Sequence, residues 1–279
     1  MAKKTKEARW SNIINTAAPQ LNVALDTALR SIGETNPPFN LKGWYNENLK
    51  NDSRWTDYAT PPESNANYAW ILHMLSHLKP LSGVAGFLLA NGALGDTDSL
   101  EIRNKLIEND KVEAIIILPR ELFITTDISV TFWILNQNKK GGKYHGRQLR
   151  NREHEILFMD LRQWNENPVK GEQKKKVQLI TEQIQRVADT YHLWQSEGTD
   201  GKNFAEPELY RSVAIEEIKA NNWTLVPSKY IEFIDHDLEI DYPKEMARIQ
   251  LEMKELMQRE KDSQIMLAEA FKGIGYEIE

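Results

Sequence analysis

Three short apolar runs constrain this chain most. Val84 to Ala90, Val112 to Leu118 and Ile128 to Leu135 are rich in aliphatic and aromatic side chains at successive positions. Runs of this length, apolar on both alternations, read as strands buried on both faces. Between the first two lies a helical stretch over 99–109, opened by an expected capping-box variant of Asp98 and Glu101. Before them, Tyr68, Ile71, Leu72, Leu75 and Leu78 share one side of a helix predicted over 66–79 and closed by Pro80. Helices that alternate with buried strands predict the α/β class, with a central sheet covered on both faces. The Arg120–Asp127 connection is short enough for the second and third runs to pair antiparallel. Glu155 to Leu161 is expected as an edge strand, followed by a helix over 177–194, a Gly198–Gly201 turn and short elements over 202–240. A helix broken at Pro19 is expected over 8–30, ending at Gly33.

Before these strands stands Asn36-Pro37-Pro38-Phe39. The Asn36 side-chain oxygen and the Pro37 carbonyl are two hydrogen-bond acceptors in a stretch that proline makes rigid. Two such acceptors can take both hydrogens of a planar ring's amino group and bias its lone pair toward attack on an electrophile. Phe39 adds a flat face for stacking. The four residues fit equally well a rigid turn with Phe39 in the core. Residues 40–65, with Trp44, Tyr45, Trp55 and Tyr58, read as a long loop whose aromatics argue for order.

Composition closes off several chemistries. With no cysteine, thiolate nucleophiles and disulfides are excluded, and the six histidines show no metal-ligand spacing. His73 and His77 read as two helix positions. No apolar run is long enough for a membrane span, and the N-terminus lacks the apolar core of a secretory signal. A net charge of −6 argues against strong non-specific nucleic-acid binding by the chain alone. Lys139, Lys140, Lys143, Arg147, Arg150 and Arg152 nonetheless cluster in one loop. It is either a solvated surface or a phosphate-contacting loop. Lys170, Lys174, Lys175 and Lys176 read as surface. Met246, Ile249, Met253 and Leu256 form a narrow seam on a long terminal helix over 243–271, suited to a partner helix.

From Asn36 onward the sequence resembles the modification (M) subunit of type I restriction–modification systems, a γ-class adenine-N6 DNA methyltransferase. The carrying stretches are Asn36 to Asn40, Arg54-Trp55 with Thr60 to Ala66, Tyr68 to His73, and Gly86 to Gly92. Ile102 to Glu108, Leu118 to Thr126, Ala188 to His192, Ile218 to Trp223 and Gly273 to Tyr276 follow in order. The resemblance implies that Asn36 and the Pro37 carbonyl hold the amine of a flipped adenine, with Phe39 stacked on the base. Pro38 and the segment around Phe123 would shape the pocket. In the phosphate-contacting reading of the basic loop, Lys139, Lys140, Lys143 and Arg147 are the residues that would meet DNA. The methyl donor would be S-adenosylmethionine. The partners would be DNA, a specificity (S) subunit reached by the terminal helix, a restriction (R) subunit and a second M subunit, in the cytoplasm.

The family carries a Gly-rich strand-to-helix turn and an acidic residue for the donor upstream of this motif. Here Gly33 is the only glycine in residues 1–35. The expected fold is therefore the C-terminal half of a Rossmann-like methyltransferase sheet with a terminal amphipathic helix. The expected division is an atypical helical segment over 1–35, catalytic half-domain over 36–160, a mixed extension over 161–242 and a docking helix over 243–279. No donor-binding residue is assigned, and the isolated chain is expected to be inactive. The competing function is a non-catalytic module that docks on the specificity subunit. A remoter alternative is methylation of a protein glutamine or an RNA, which also uses Asn-Pro-Pro-aromatic motifs.

Overall fold

β2 (Val112–Ile117) is buried at every position, which requires a neighbour on each edge and a layer on each face. It lies within a six-stranded sheet of a computed structural model that describes residues 37–123, 127–144, 146–169, 176–234 and 241–273. The helix expected over 8–30 and Asn36 lie outside the described residues. The other strands are β1 (Val84–Ala90), β3 (Val130–Asn136), β6 (Glu155–Asp160), β7 (Ala205–Glu206) and β8 (Tyr210–Ala214), in the spatial order β1-β3-β2-β6-β8-β7. β3 pairs antiparallel with both β1 and β2, and β6 pairs parallel with β2. β1, β2 and β6 thus share a direction, and their carboxyl ends lie at one end of the sheet. β4 (Gly142–Tyr144) and β5 (Arg147–Leu149) form a separate hairpin.

One face of the sheet is covered by α1 (Asn67–His77), α2 (Leu100–Glu108) and α4 (Ile215–Ala220). Tyr68, Ile71 and Leu72 of α1 join Phe87, Ile115, Trp133 and Phe158 in its core. Phe87 and Trp133 are register partners and stack with centroids 6.1 Å apart. The other face is covered by α3 (Thr181–Gln195), whose Val187, Tyr191 and Trp194 pack with Ala114, Ile116, Ile134 and Leu157. Alternate residues of each strand feed the two cores, as side chains of a strand must.

Three expectations need correction. Glu155–Asp160 is an interior strand, because β8 pairs with its outer edge, and its Ile156 and Phe158 face one core while Leu157 and Met159 face the other. Asp98 does not cap α2. Ser99 is the N-cap residue, its hydroxyl donates to Asp96 at 2.8 Å, and Glu101 instead pairs with Lys105 at 2.9 Å. Lys176 is buried, its ammonium donating to the Phe123 carbonyl at 2.9 Å and to Asp127 at 2.5 Å.

Because β8 pairs with β6, the segment after residue 160 completes the same sheet, and this unit runs to Phe233. A second unit contains α5 (Tyr242–Gly273), a 32-residue helix with no buried residue. Met246, Ile249, Met253 and Leu256 are all exposed on it. Among the described residues no helix is long and apolar enough to cross a membrane.

Candidate active site

Open α/β sheets bind ligands at the carboxyl ends of their parallel strands. The Tyr68 hydroxyl donates to the Ala93 carbonyl at 2.7 Å, in the 3-10 turn Asn91–Leu94 that follows β1. The start of α1 therefore sits at the carboxyl end of β1. Its first residue, Asn67, holds Asn40: the Asn40 amide donates to Asn67 Oδ1 at 2.9 Å, and Asn67 Nδ2 donates to Asn40 Oδ1 at 2.7 Å. Asn40 has φ of 50°, a left-handed conformation that asparagine tolerates better than most residues. The Ala66 amide adds a bond to the Leu41 carbonyl at 3.0 Å, and Trp44 Nε1 one to the Pro62 carbonyl at 3.1 Å.

These bonds bring Pro37, Pro38 and Phe39 to the carboxyl end of β1. Pro37 is buried, Pro38 exposed and Phe39 half-buried. The loop behind them is ordered by its aromatics: Trp44 meets Trp55 edge-on at 6.4 Å, and the Arg54 guanidinium lies 4.8 Å over the Trp55 ring. Asp52 accepts two bonds from the Arg54 side chain, and these hold its carboxyl down at about 2. Arg54 also donates to His73 Nδ1 at 2.9 Å. Burial first, then His77 and Arg54, lowers the imidazole's pKa.

Phe123 lies in the connection from β2 to β3, at the same end. Its ring is buried and its carbonyl is held by Lys176. Thr131 Oγ1 donates to Asn91 Oδ1 at 2.6 Å, tying the start of β3 to the residue after β1. Two segments far apart in sequence, Pro37–Phe39 and that around Phe123, thus share the end of the sheet where ligands bind. Among the described residues no His, Asp and Glu group could hold a metal.

The basic loop is elsewhere. It follows Asn136, whose register partner is Val84, the first residue of β1. The β4–β5 hairpin therefore stands at the amino end of the sheet, roughly 20 Å from the carboxyl end at about 3.3 Å per residue. Lys139, Lys140, Lys143 and Arg147 are thus not part of the site at the carboxyl end. Lys139 is not even at the surface: its ammonium is buried, bonded to Asp110 at 2.6 Å and to the carbonyls of Val112 and Glu155. Burial lowers its pKa and Asp110 opposes that shift. Arg152 is buried against Glu113 at 3.0 Å, and Arg150 pairs with Glu155 at 2.8 Å. Lys140 and Lys143 are exposed and Arg147 is half-buried.

The clamp through Asn67 and the anchoring through Tyr68 are not visible in the sequence as functional features. The one signal available is an asparagine at the start of a largely apolar helix. Glu113 gives a plainer one, a carboxylate inside Val-Glu-Ala-Ile-Ile-Ile that must find a buried partner.

The N-6 DNA Methylase family matches residues 6–238. The type I restriction enzyme HindI methylase subunit of Haemophilus influenzae is 35% identical over 247 residues, covering 87% of this chain and 51% of that protein. The MjaIX methylase subunit of Methanocaldococcus jannaschii is 30% identical over 251 residues, covering 86% and 42%. The chain thus spans about half the length of the curated relatives it matches. The structure of a type I restriction–modification methyltransferase subunit from Streptococcus thermophilus shares the fold, with a TM-score of 0.56 at 24% identity over 72% of this chain and 38% of that one.

Proposed function

The chain belongs to the N-6 DNA methylase family, and we propose that it serves as the modification subunit of a type I restriction–modification system, methylating N6 of an adenine flipped out of DNA. The observation that carries this reading is the convergence of Pro37–Phe39 and the Phe123 segment at the carboxyl end of the sheet. In this reading Asn36 and the Pro37 carbonyl accept the two amine hydrogens, leaving the nitrogen lone pair free to attack. Half-buried Phe39 stacks on the base, and Pro38 with the Phe123 segment walls the pocket. S-adenosylmethionine, the donor by family, supplies an electrophilic methyl. Residues 1–35 have Gly33 as their only glycine and so no Gly-rich turn of the kind the family uses for it upstream of Asn36. No donor-binding residue is therefore assigned in this chain, and in this reading it is inactive unless completed by residues from elsewhere.

The exposed apolar seam of α5 suits a helix of the specificity subunit, which would supply sequence reading and much of the phosphate contact. This fits a chain of net charge −6 that works on DNA. A restriction subunit and a second modification subunit complete the proposed assembly, in the cytoplasm. The same seam also favours a second reading, a non-catalytic module that only docks on the specificity subunit.

The experiment is co-expression with a specificity subunit and with the residues that complete the donor site, and measurement of label transfer from S-adenosylmethionine to DNA, with residues 243–279 present or deleted. Transfer by the intact complex, with loss of association on deletion, supports both halves of the reading. Stable association without transfer favours the docking module. Association that survives the deletion removes α5 from the interface.

A further inference from the structure

A cavity of about 350 Å³ opens at the amino end of the sheet, between the β4–β5 hairpin, the start of β1 and the last turns of α3. Buried polar groups line its floor. Arg152, Gln195 and Asn136 all donate to the Glu113 carboxylate, Arg152 at 3.0 Å and Gln195 at 3.1 Å. Glu113 thus neutralises one cation, Arg152, and fixes two amides.

Arg147 has no such compensation. Its guanidinium is half-buried and among the described residues meets only neutral acceptors, Gln195 Oε1 at 3.4 Å and the His192 carbonyl at 3.1 Å. It makes no ion pair with a carboxylate among the described residues, and burial pushes its pKa down. Among the described residues two of its five N–H groups are used, which leaves three. A partly desolvated cation facing a cavity without a counter-ion is costly unless an anion fills the place. Exposed Lys143, also without an ion pair among the described residues, adds positive charge to the lining. Tyr144 is the register partner of Arg147 and so shares its face of the hairpin, where Leu81, Val84 and Leu149 add apolar wall.

We propose that this cavity binds a small phosphorylated molecule of about mononucleotide size, whose phosphate is the counter-ion of Arg147. The guanidinium fork matches a phosphate. The volume matches a whole small ligand, since ligand pockets begin at about 300 Å³, and one acidic side chain from a protein partner would leave most of it empty. The site lies across the sheet from the proposed adenine pocket and does not depend on that reading.

The test is calorimetric titration of the full chain with inorganic phosphate, UMP, AMP and uridine. UMP carries no adenine, so its binding is separable from the base pocket. The expected result is binding of UMP and AMP, weaker binding of phosphate and none of uridine. Arg147→Gln is expected to weaken UMP about tenfold or more, the loss of one charge-assisted contact, and Arg147→Lys to restore part of it. Thermal unfolding of each variant reports whether the fold is intact. If Arg147→Gln does not fold, exposed Lys143→Ala is the second variant, expected to weaken UMP by about threefold. Absence of binding by phosphate, UMP and AMP would overturn the proposal. So would UMP affinity that neither variant changes, or Arg147-dependent binding shown by duplex DNA alone.

Discussion

Asn40 and Asn67 hold each other through two reciprocal hydrogen bonds, 2.9 and 2.7 Å long, between residues 27 apart in sequence. One belongs to the exit of the Asn-Pro-Pro-Phe stretch and the other is the buried first residue of α1. Asn67→Ala deletes both bonds and leaves the Asn40 amide without its acceptor. The expected cost is about 1–2 kcal/mol in urea unfolding, with faster hydrogen exchange at the Asn40 amide. An unchanged exchange rate at Asn40 would mean that the clamp does not hold the motif in solution.

Much of the sheet is legible in the chain because Phe87-Leu88-Leu89 and Ile115-Ile116-Ile117 are apolar on both alternations, in runs of strand length that suit burial on both faces. β6 has the same pattern, but its outer partner is Tyr210-Arg211-Ser212-Val213-Ala214, too polar to announce a strand that covers it. The basic loop shows the limit of reading charge locally. Lys139 and Arg152 look like solvated cations until Asp110 and Glu113, 29 and 39 residues away, arrive through the fold. The Asn-Pro-Pro-Phe chemistry is legible as a pattern. Its attachment through Asn40 and Asn67 is not, because side-chain amides carry no directional signal in a sequence.

Glu113 is the keystone of the amino end, accepting from Arg152, Gln195 and Asn136 in the interior. Glu113→Gln keeps the shape and strands the Arg152 charge. Removing one partner of a buried pair costs about 3–5 kcal/mol, and equilibrium urea denaturation is expected to show a loss in that range. Glu113→Leu combined with Arg152→Met is expected to be less damaging than Glu113→Gln alone, because no unpaired charge remains. A loss below about 1 kcal/mol for Glu113→Gln would show that water reaches the pair.

Lys139 and Lys140 are adjacent and opposite in character. Lys139→Ala leaves Asp110 without its cation and empties a buried site, so a loss of at least about 3 kcal/mol is expected. Lys140 is exposed and 3.9 Å from Glu153, so Lys140→Ala is expected to stay within about 0.5 kcal/mol. It is also expected to leave methyl transfer by the assembled complex unchanged, since it stands at the far end of the sheet from the proposed base pocket. Thermal unfolding and the transfer assay, run on both variants, check these expectations together.

Tyr68 sets a pH signature. Its hydroxyl is buried and donates to Ala93, and burial pushes its pKa from 10.0 up to about 12. A raised folded-state value means the unfolded chain loses this proton first as pH rises. The stability that Tyr68 contributes is therefore complete below pH 10 and declines between pH 10 and about 12. Tyr68→Phe is expected to cost about 1 kcal/mol below pH 10, and the gap to the wild type is expected to narrow above it. A gap that is constant through pH 11 would contradict the buried placement of the hydroxyl.

The most direct test of the central claim is the methylation state of DNA in cells that express this chain, completed by the residues that hold the methyl donor, with its specificity partner, compared with Asn36→Ala. The account predicts N6-methyladenine at one sequence motif with the wild type. It predicts complete loss with Asn36→Ala, while the variant still co-purifies with its partner at normal yield. N6-methyladenine retained by Asn36→Ala would contradict the assignment of the Asn-Pro-Pro-Phe stretch as the amine clamp, and with it the reading of the carboxyl end of the sheet as the adenine site.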